Sequence, residues 1–372
     1  MRRRTRKLLV QLMLFGGVLC LVLFLNAPSS TPPTLAWTRI RYRPRPDPPP
    51  PTSRGACPGL ADANKLGKPA LVVARVHADG DAGWLKTLEA QYHLCVYTAD
   101  APAEDPGHDY LQTPANRGHE AMAYLTFLID NYAQIPAAGA VFVHGSRWAW
   151  HNDAPDYDNA ALLAALNVSA ALHPSGYHNL RCDWSAGTCP PSTPPQRSLE
   201  TSLQAVLQPW GARAVSDKAL PDALATLFGG GGVDGSLQVL LGRSDTLRAQ
   251  CCAQFVVSRD RVWQHSREEY IALRSWLLTA APRDDRISGR ILSYLWHILF
   301  LRPGTEGEAA GSGGIHLQAL NRAACPRADE CYCRLYGRCN LANCVSPGAC
   351  YGQYRVPKDY RLPDDWAASH VE

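Results

Sequence analysis

Short, continuous apolar runs recur along the middle of the chain and alternate with amphipathic segments. The runs are ALVVARV at 70–76, HLCVYTA at 93–99, GAVFVHG at 139–145 and QFVVSRD at 254–260. Strands that are buried on both faces show this pattern, whereas a strand with one wet face alternates apolar and polar residues. Helical segments between the runs predict helices that cover the sheet. We therefore expect an α/β fold, with a mixed, largely parallel sheet flanked by helices.

The strongest helical pattern extends over residues 117–132. Its large apolar residues recur at helical spacing, and Asn116 stands where an N-cap is expected. Further helical patterns lie at 84–91, at about 267–280 and at 287–301.

The N-terminus has the pattern of a membrane anchor. Five basic groups in residues 1–7 precede an apolar run over 8–25, which as a helix is about 27 Å long, just enough to span a membrane. The basic flank predicts a single-pass type II protein with its bulk in the lumen. A signal peptide cleaved after Ala27 is the alternative, which Pro28 in the first mature position disfavours.

Composition divides the chain into seven predicted parts. The stem, rich in proline and arginine, has a composition typical of extended polyproline segments without a core. The parts are a cytosolic tip (1–7), the anchor (8–25), the stem (26–68), a luminal α/β domain (69–303), a flexible insertion (304–315), a disulfide-rich appendage (316–352) and a tail (353–372).

Cysteine usage fits an oxidising compartment. Of thirteen cysteines, Cys20 lies in the apolar run and twelve lie outside it. We expect Cys251 and Cys252 to be bridged to separate partners, and Cys182 and Cys189 to close a small loop. In such a compartment the sequon at Asn167 predicts a glycoprotein of the Golgi, the endoplasmic reticulum or the cell surface.

Charge and motifs exclude several classes of function. The net charge of +4 is modest, and no basic face with interleaved aromatic residues indicates nucleic-acid binding. The sequence contains no Gly-x-Ser-x-Gly, His-Glu-x-x-His or Walker-type loop, which argues against a serine hydrolase of that type, a zincin or a P-loop enzyme.

The first candidate site follows the run at 70–76. Arg75, Asp79 and Asp81 stand where the carboxyl end of a strand is expected, and open α/β sheets bind ligands there. Asp-x-Asp spacing suits a hard divalent cation, Mn or Mg, that would neutralise a nucleotide diphosphate. A turn that merely uses Asp and Gly is the alternative.

The second candidate site is WAWHNDAPDYDN at 148–159. Trp148 and Trp150 offer flat faces to a sugar or a base, and polar groups follow them. Among these groups we expect His151 and Asp153 to be catalytic and Asp156 and Asp158 to bind metal. Two tryptophans that only cap a core are the alternative.

Two further groups complete the candidate set. Asn116 and Glu120 open the long predicted helix, where free backbone N–H groups can bind an anion, unless they only cap the helix. The last group consists of polar residues for phosphate binding or proton transfer, although its histidine is better explained as a core residue; it comprises Arg181, Gln254, Arg259, Arg290 and His297.

Six ordered strings resemble the fungal domain-of-unknown-function 3431 family. They are NRGHEAMAYLTFLIDNY, VFVHGSRWAWHND, GYHNLRCDW, CCAQFVVSRD, SGRILSYLWHILF and CPRADECYCRLYG, within residues 116–337. The resemblance implies no activity, because the family has none assigned. This chain has Ser293 and an Asp79-Gly80-Asp81 loop where members of the family tend to carry glutamates.

Anchor, stem and Asp-rich α/β domain together suggest a Golgi-type, glycosyltransferase-A-like enzyme that uses a nucleotide sugar and a divalent cation. A non-catalytic glycan-binding module and a hydrolase of unfamiliar design are the alternatives. Convergence of Asp79, Asp81, His151, Asp153 and Asp158 in one pocket would favour an enzyme, and their dispersal would favour a binding module.

Overall fold

The structure is a computed structural model. It describes residues 2–25, 33–43, 55–100, 110–154, 157–230, 237–302, 314–339, 341 and 344–350. Asp156, most of the predicted insertion and the predicted tail lie outside these ranges.

Ten strands and thirteen α-helices occupy the described residues. The strands are β1 (Thr34–Leu35), β2 (Ala70–Arg75), β3 (His93–Thr98), β4 (Leu111–Gln112), β5 (Ala140–His144), β6 (Tyr177–Asn179), β7 (Phe255–Val257), β8 (Ile315–His316), β9 (Cys344–Ser346) and β10 (Ala349–Cys350). The helices are α1 (Arg2–Leu25), α2 (Leu60–Lys65), α3 (Glu120–Asp130), α4 (Asn159–Ala165), α5 (Val168–Leu172), α6 (Leu199–Leu207), α7 (Ala212–Phe228), α8 (Arg259–Val262), α9 (Arg267–Thr279), α10 (Asp285–Ser293), α11 (Leu295–Phe300), α12 (Leu317–Ala324) and α13 (Ala328–Tyr336).

Six strands form one mixed sheet in the order β4-β3-β2-β5-β7-β6. The pairs β3–β4, β2–β3 and β2–β5 are parallel, while β7 runs antiparallel to both β5 and β6. The predicted fold class, a mixed and largely parallel sheet, is confirmed.

The sheet is buried on both faces, which explains the continuous apolar runs. Val72 and Phe142 point into a core shared with α3, α7, α9, α10 and α11. Their neighbours Leu71 and Val143 point into a second core on the opposite face, shared with α4, α5 and α13. Since side chains alternate along a strand, both sets must be apolar.

Helix α1 is long and apolar enough to cross a membrane by its length and composition, and none of its apolar window is buried against the rest of the protein. A signal sequence has the same properties. The apolar helix is therefore shown, while its retention as an anchor stays a prediction.

Parts of the predicted stem belong to the folded domain. Leu35 and Trp37 are fully buried, and β1 pairs with β8. The indole Nε1 of Trp37 donates to the carbonyl of Val239 at 2.8 Å, and a disulfide joins Cys57 to Cys95. The composition of this segment did not reveal its burial. Most of its residues are polar or proline, and only a few apolar residues enter the core.

One carboxylate ties this N-terminal segment to α9. Glu269 accepts hydrogen bonds from the backbone N–H groups of Ile40 and Ser266 and from the ring of His265, and it forms an ion pair with Arg39. Burial alone would raise the pKa of Glu269, but these hydrogen bonds outweigh it and lower the pKa from 4.5 to about 2.

This depressed pKa predicts acid destabilisation with a defined sign. Ionised Glu269 contributes stability above about pH 4.5, and that stability is lost as the pH falls towards 2. In Glu269→Gln we expect lower stability at pH 7 and a shallower decline between pH 4.5 and 2, measured by chemical denaturation. Glu268→Gln, on the exposed side of the same turn, is the control. Parallel pH profiles for wild type and Glu269→Gln would contradict this assignment.

The predicted C-terminal appendage is integrated into the domain. Leu320 of α12 and Tyr332 of α13 are fully buried in the two cores. The expected small loop between Cys182 and Cys189 is wrong, because Cys182 pairs with Cys331 and Cys189 with Cys325.

The remaining disulfides are local. Cys251 and Cys252 were expected to have separate partners, but they pair with each other. Short loops are closed by Cys333–Cys339 and Cys344–Cys350, and Cys20 in α1 is free.

Three predicted helices differ in detail. The long helix begins at Glu120 rather than residue 117, so Asn116 is not its N-cap. The late helix over 287–301 is two helices, α10 and α11, that meet at Tyr294. The segment 84–91 forms a short 3-10 helix, Gly83–Leu88.

Candidate functional site

A cleft of about 860 Å³ opens at the carboxyl ends of β2 and β5. The chain leaves β2 towards β3 on one side, while β5 lies on the other side of β2. Such a switch point leaves a crevice between the diverging connections, where open α/β sheets bind ligands. The volume lies within the range of about 300–1,000 Å³ that is usual for small-molecule pockets.

The two strand ends approach each other closely on the floor of the cleft. A Cβ at Gly145 would lie 2.8 Å from the Cα of Arg75 and 2.9 Å from Oδ2 of Asp79. Only glycine fits this position without displacing the backbone. Gly145 therefore allows Arg75, Asp79 and His144 to line one floor.

Asp79 is a half-buried carboxylate at this floor. Its Oδ2 accepts a hydrogen bond from the backbone N–H of Val76 at 2.9 Å, which closes a short turn after β2. Burial raises the pKa of Asp79, and this effect outweighs the opposing hydrogen bond and the positive charges of His144 and Arg75. A carboxylate with a raised pKa is a stronger base when ionised than an exposed aspartate.

Three rings stack along one wall. His151 lies between Trp150 and His144, with ring centroids 4.3 and 4.4 Å apart. Nε2 of His144 lies 2.8 Å from the carbonyl of Cys252, and because a carbonyl only accepts, this nitrogen carries the proton. The pKa of His151 is lowered to about 2 by burial and by neighbouring positive charges, so His151 is neutral at physiological pH.

Arginines form another part of the lining. Nε of Arg213 on α7 and Nε of Arg290 on α10 both lie 3.9 Å from carboxylate oxygens of Asp217. The hydroxyl of Tyr294 donates to Asp217 at 2.8 Å and lies 3.2 Å from Arg290. Two guanidinium groups thus share one carboxylate, and Arg286 adds a further cation paired with Asp284.

The start of α3 completes the lining. Asn116, His119 and Glu120 all border the cleft. His119 packs against α10, because a Cβ at Gly289 would lie 2.6 Å from its ring. The small residue on α10 therefore makes room for the histidine.

Backbone strain is concentrated at this cleft. Within the described residues, four non-glycine residues have positive φ: His119 (54°), Tyr157 (59°), Cys252 (87°) and Ala253 (47°). The first three line the cleft and the fourth follows Cys252. Strained conformations of this kind each cost about 1–3 kcal/mol and cluster at functional sites.

Several predicted site residues support the cleft from outside it. The buried Asp153 accepts hydrogen bonds from the backbone N–H groups of Cys182 and Asp183 and pairs with Arg181 at 3.5 Å. Arg181 in turn donates to the carbonyl of Trp150. Asp153 and Arg181 thus fasten the tryptophan loop, and neither lines the cleft.

Other predicted residues have structural contacts elsewhere. Gln254 is buried and its Oε1 accepts from the backbone N–H of His144 at 3.3 Å. Arg259 stacks over the ring of Trp263 at 4.8 Å, and His297 is buried in the core at α11. Of the wider candidate set, the cleft collects Arg75, Asp79, Asn116, Glu120, Trp148, Trp150, His151 and Arg290.

Two of the four aspartates expected to hold a cation make other contacts, and Asp156 lies outside the described residues. Asp81 turns back to accept from the backbone N–H of Gly83 at 2.9 Å. Asp158 caps α4 through the N–H of Ala160 and pairs with Arg147 at 3.0 Å. Among Asp79, Asp81 and Asp158, only Asp79 lines the cleft, so the Asp79-x-Asp81 pair does not present both carboxylates to one cation. Of the five groups whose convergence would favour an enzyme, Asp79 and His151 meet in the cleft, whereas Asp81, Asp153 and Asp158 lie outside its lining.

Metal-ligand geometry elsewhere in the described ranges leads to the same conclusion. There, the one group of three His, Cys, Asp or Glu ligand atoms close enough for one ion is Cys57, His93 and Cys95. Since Cys57 and Cys95 form a disulfide, their sulfurs are not available as thiolate ligands.

Several residues that line the cleft were not predicted from the sequence. Arg213 stands on α7, which carried no motif, and Arg286 stands on α10 just before the matched string SGRILSYLWHILF; the packing of α7 against α10 brings both helices to the cleft. His144 lies at the end of a predicted strand, next to Gly145. Its position at a strand end could therefore have identified it as a candidate site residue.

One comparison with known proteins gives a match. The family described as protein of unknown function (DUF3431) matches residues 71–334, which include both strand ends, the tryptophan loop and the arginines of α7 and α10. No curated protein and no solved structure matches the chain.

Proposed function

The chain belongs to the DUF3431 family, which has no assigned reaction, and we propose that its cleft binds a nucleotide-diphosphate sugar and transfers the sugar to a hydroxyl group. The observation that carries this proposal is the pair of arginines, Arg213 and Arg290, that share Asp217 in a cleft also lined by Asp79. Such a transfer needs positive charge to bind the diphosphate and a carboxylate to accept the proton of the hydroxyl group.

The arginines suit a diphosphate. Guanidinium groups bind phosphate oxygens through paired N–H donors and stay charged at all relevant pH values. Nε of Arg290 is buried and has no hydrogen-bond partner, so a ligand oxygen would satisfy it. Because the diphosphate gains charge as it leaves, this contact strengthens in the transition state.

Asp79 suits the role of base. The acceptor hydroxyl oxygen would form the new bond to the anomeric carbon while the carbon–oxygen bond to the diphosphate breaks. The leaving diphosphate takes the electron pair, and Asp79 takes the hydroxyl proton. Its burial, which raises its pKa, makes it a better proton acceptor than an exposed aspartate.

The ring stack suits the sugar or the base of the ligand. Trp150 is half exposed at the cleft and is held in place by Arg181 and His151. His151 is neutral because its pKa is lowered to about 2, so its buried Nδ1, which has no hydrogen-bond partner in the structure, is suited to a hydrogen bond rather than to taking a proton. We assign His151 to substrate positioning.

The test is an assay of nucleoside-diphosphate release by the full chain with a panel of nucleotide sugars and hydroxyl acceptors. We expect release with at least one donor, retained in the presence of a chelator because arginines balance the diphosphate charge. Asp79→Asn is expected to lower the rate by about 10²–10⁴-fold, the usual contribution of a general base. Asp81→Asn, whose carboxylate faces Gly83, is the matched control.

Other outcomes identify the alternatives. Release that is abolished by a chelator and restored by manganese would show that Asp79 acts with a bound cation. Release of free sugar without transfer would indicate a hydrolase. Binding of glycans without turnover of any donor would indicate a binding module and overturn the proposal.

We place this activity in the lumen of the secretory pathway, in the Golgi or endoplasmic reticulum. The disulfides and the apolar α1 support that compartment. Asn167 is exposed, and its side-chain oxygen caps α5 by accepting from Ala170 at 3.0 Å. Its amide nitrogen, the atom that carries a glycan, is not used in this cap.

A further inference from the structure

Helix α6 has its apolar face on the outside. It buries Thr201 and Ala205, while Leu203, Val206 and Leu207 are 60, 65 and 70% exposed. Leu199 precedes them on the same stripe.

Trp210 continues this stripe beyond the end of α6. It is 74% exposed, more than any other tryptophan among the described residues. A continuous exposed stripe of large apolar residues marks an interaction surface.

The stripe lies beside the place where the chain enters the domain. Arg197, just before α6, donates to the carbonyl of Leu241 at 2.8 Å. The adjoining residues Gln238 and Val239 bond to Ala36 and Trp37, each at 2.8 Å. The segment from 237 to 241 therefore joins the start of α6 directly to the N-terminal segment.

The same entry point is tied to the apolar helix by a short connection. Helix α1 ends at Leu25, and Pro33 already accepts a hydrogen bond from the backbone N–H of Leu317. The eight Cα–Cα steps between Leu25 and Pro33 span at most about 28 Å. With α1 in a membrane, this side of the domain is held close to the lipid surface.

We infer that the outer face of α6, extended by Trp210, rests in the interfacial layer of the membrane that α1 spans. Leucine and valine on one face, with a tryptophan at the end, are typical of helices that lie in this layer. Arg197 places a guanidinium group at the start of this face, and such groups suit lipid phosphates.

A second copy of the chain is a poorer occupant. One helix of nine residues offers a small surface compared with the roughly 800 Å² per partner that stable complexes bury. The lipid surface needs no such area, because α1 already supplies the attachment.

Photo-crosslinking from one side chain tests this inference. The full chain would carry benzoylphenylalanine at position 206 and be reconstituted in phosphatidylcholine vesicles. The matched control is position 345, since Val206 and Val345 are both 65% exposed. Val345 lies in the β9–β10 hairpin, which packs on the opposite core.

We expect lipid adducts at 206 several-fold above those at 345, detected by mass spectrometry of the protein. Leu203→Glu combined with Leu207→Glu should reduce the adducts at 206 to the level at 345 without changing the thermal midpoint, because both side chains are exposed. Equal adducts at 206 and 345 would overturn the inference. So would crosslinks from 206 to a second copy or to residues 351–372. None of these outcomes depends on the chemistry of the cleft.

Discussion

Replacing Arg290 by glutamine is expected to lower kcat/KM for a nucleotide-sugar donor by about 10²–10³-fold, the usual loss when one donor to a developing negative charge is removed. Arg290 lines the cleft and its Nε makes no hydrogen bond in the structure, since Asp217 lies 3.9 Å away. Because the contact strengthens as the diphosphate leaves, the loss should fall on kcat more than on KM. The measurement is steady-state kinetics of nucleoside-diphosphate release.

Two variants separate catalysis from folding. Arg290 also pairs with Asp217, so its loss can affect stability as well as turnover. Arg290→Lys keeps the charge but not the fork of donors, and we expect it to restore part of kcat. Arg283→Gln removes an exposed cation just before α10, outside the cleft, and should leave kinetics unchanged. Equal losses in Arg283→Gln and Arg290→Gln would show a general effect of charge and refute the assignment.

Replacing Trp37 by alanine is expected to destabilise the protein by about 3–5 kcal/mol, the usual cost of removing a large buried aromatic ring. Trp37 is fully buried, its ring lies 6.2 Å from that of Phe228, and its indole N–H bonds to Val239. Chemical denaturation of the full chain in detergent, followed by circular dichroism, measures the change.

Trp210→Ala is the matched control for this prediction. Trp210 is exposed and we expect a change of about 0.5 kcal/mol or less, as for most surface substitutions. If Trp37→Ala were as mild as Trp210→Ala, residues 33–43 would be a stem that is separate from the core.

The central sheet was predictable because its signal is local. Each buried strand is a continuous apolar run, and the strand ends at Arg75 and His144 follow directly from the runs. The short strands β1, β4, β6 and β8 have two or three residues each, too few for a period to appear. Their pairing depends on partners far away in sequence.

Only part of the candidate site was predictable, because some of its residues follow a local pattern and others are brought to the cleft by contacts that are distant in sequence. Asp79 and the tryptophan loop follow strands, so their place at the cleft could be anticipated. Arg213 lies on α7, which carried no motif, and its role depends on how α7 packs against α10. Asp81 and Asp158 matched the spacing of a metal site, but each carboxylate satisfies a nearby backbone N–H group instead. Sequence spacing alone does not distinguish these outcomes.

The burial of Trp37 has a consequence for biosynthesis. Its hydrogen-bond partner Val239 is 202 residues later in the chain. At about 5–20 residues per second, the ribosome needs roughly 10–40 s to add those residues. Throughout that interval Trp37 lacks the partner that accepts its indole N–H in the folded protein. The segment of the domain that is synthesised first is therefore among the last to be stabilised by its native contacts.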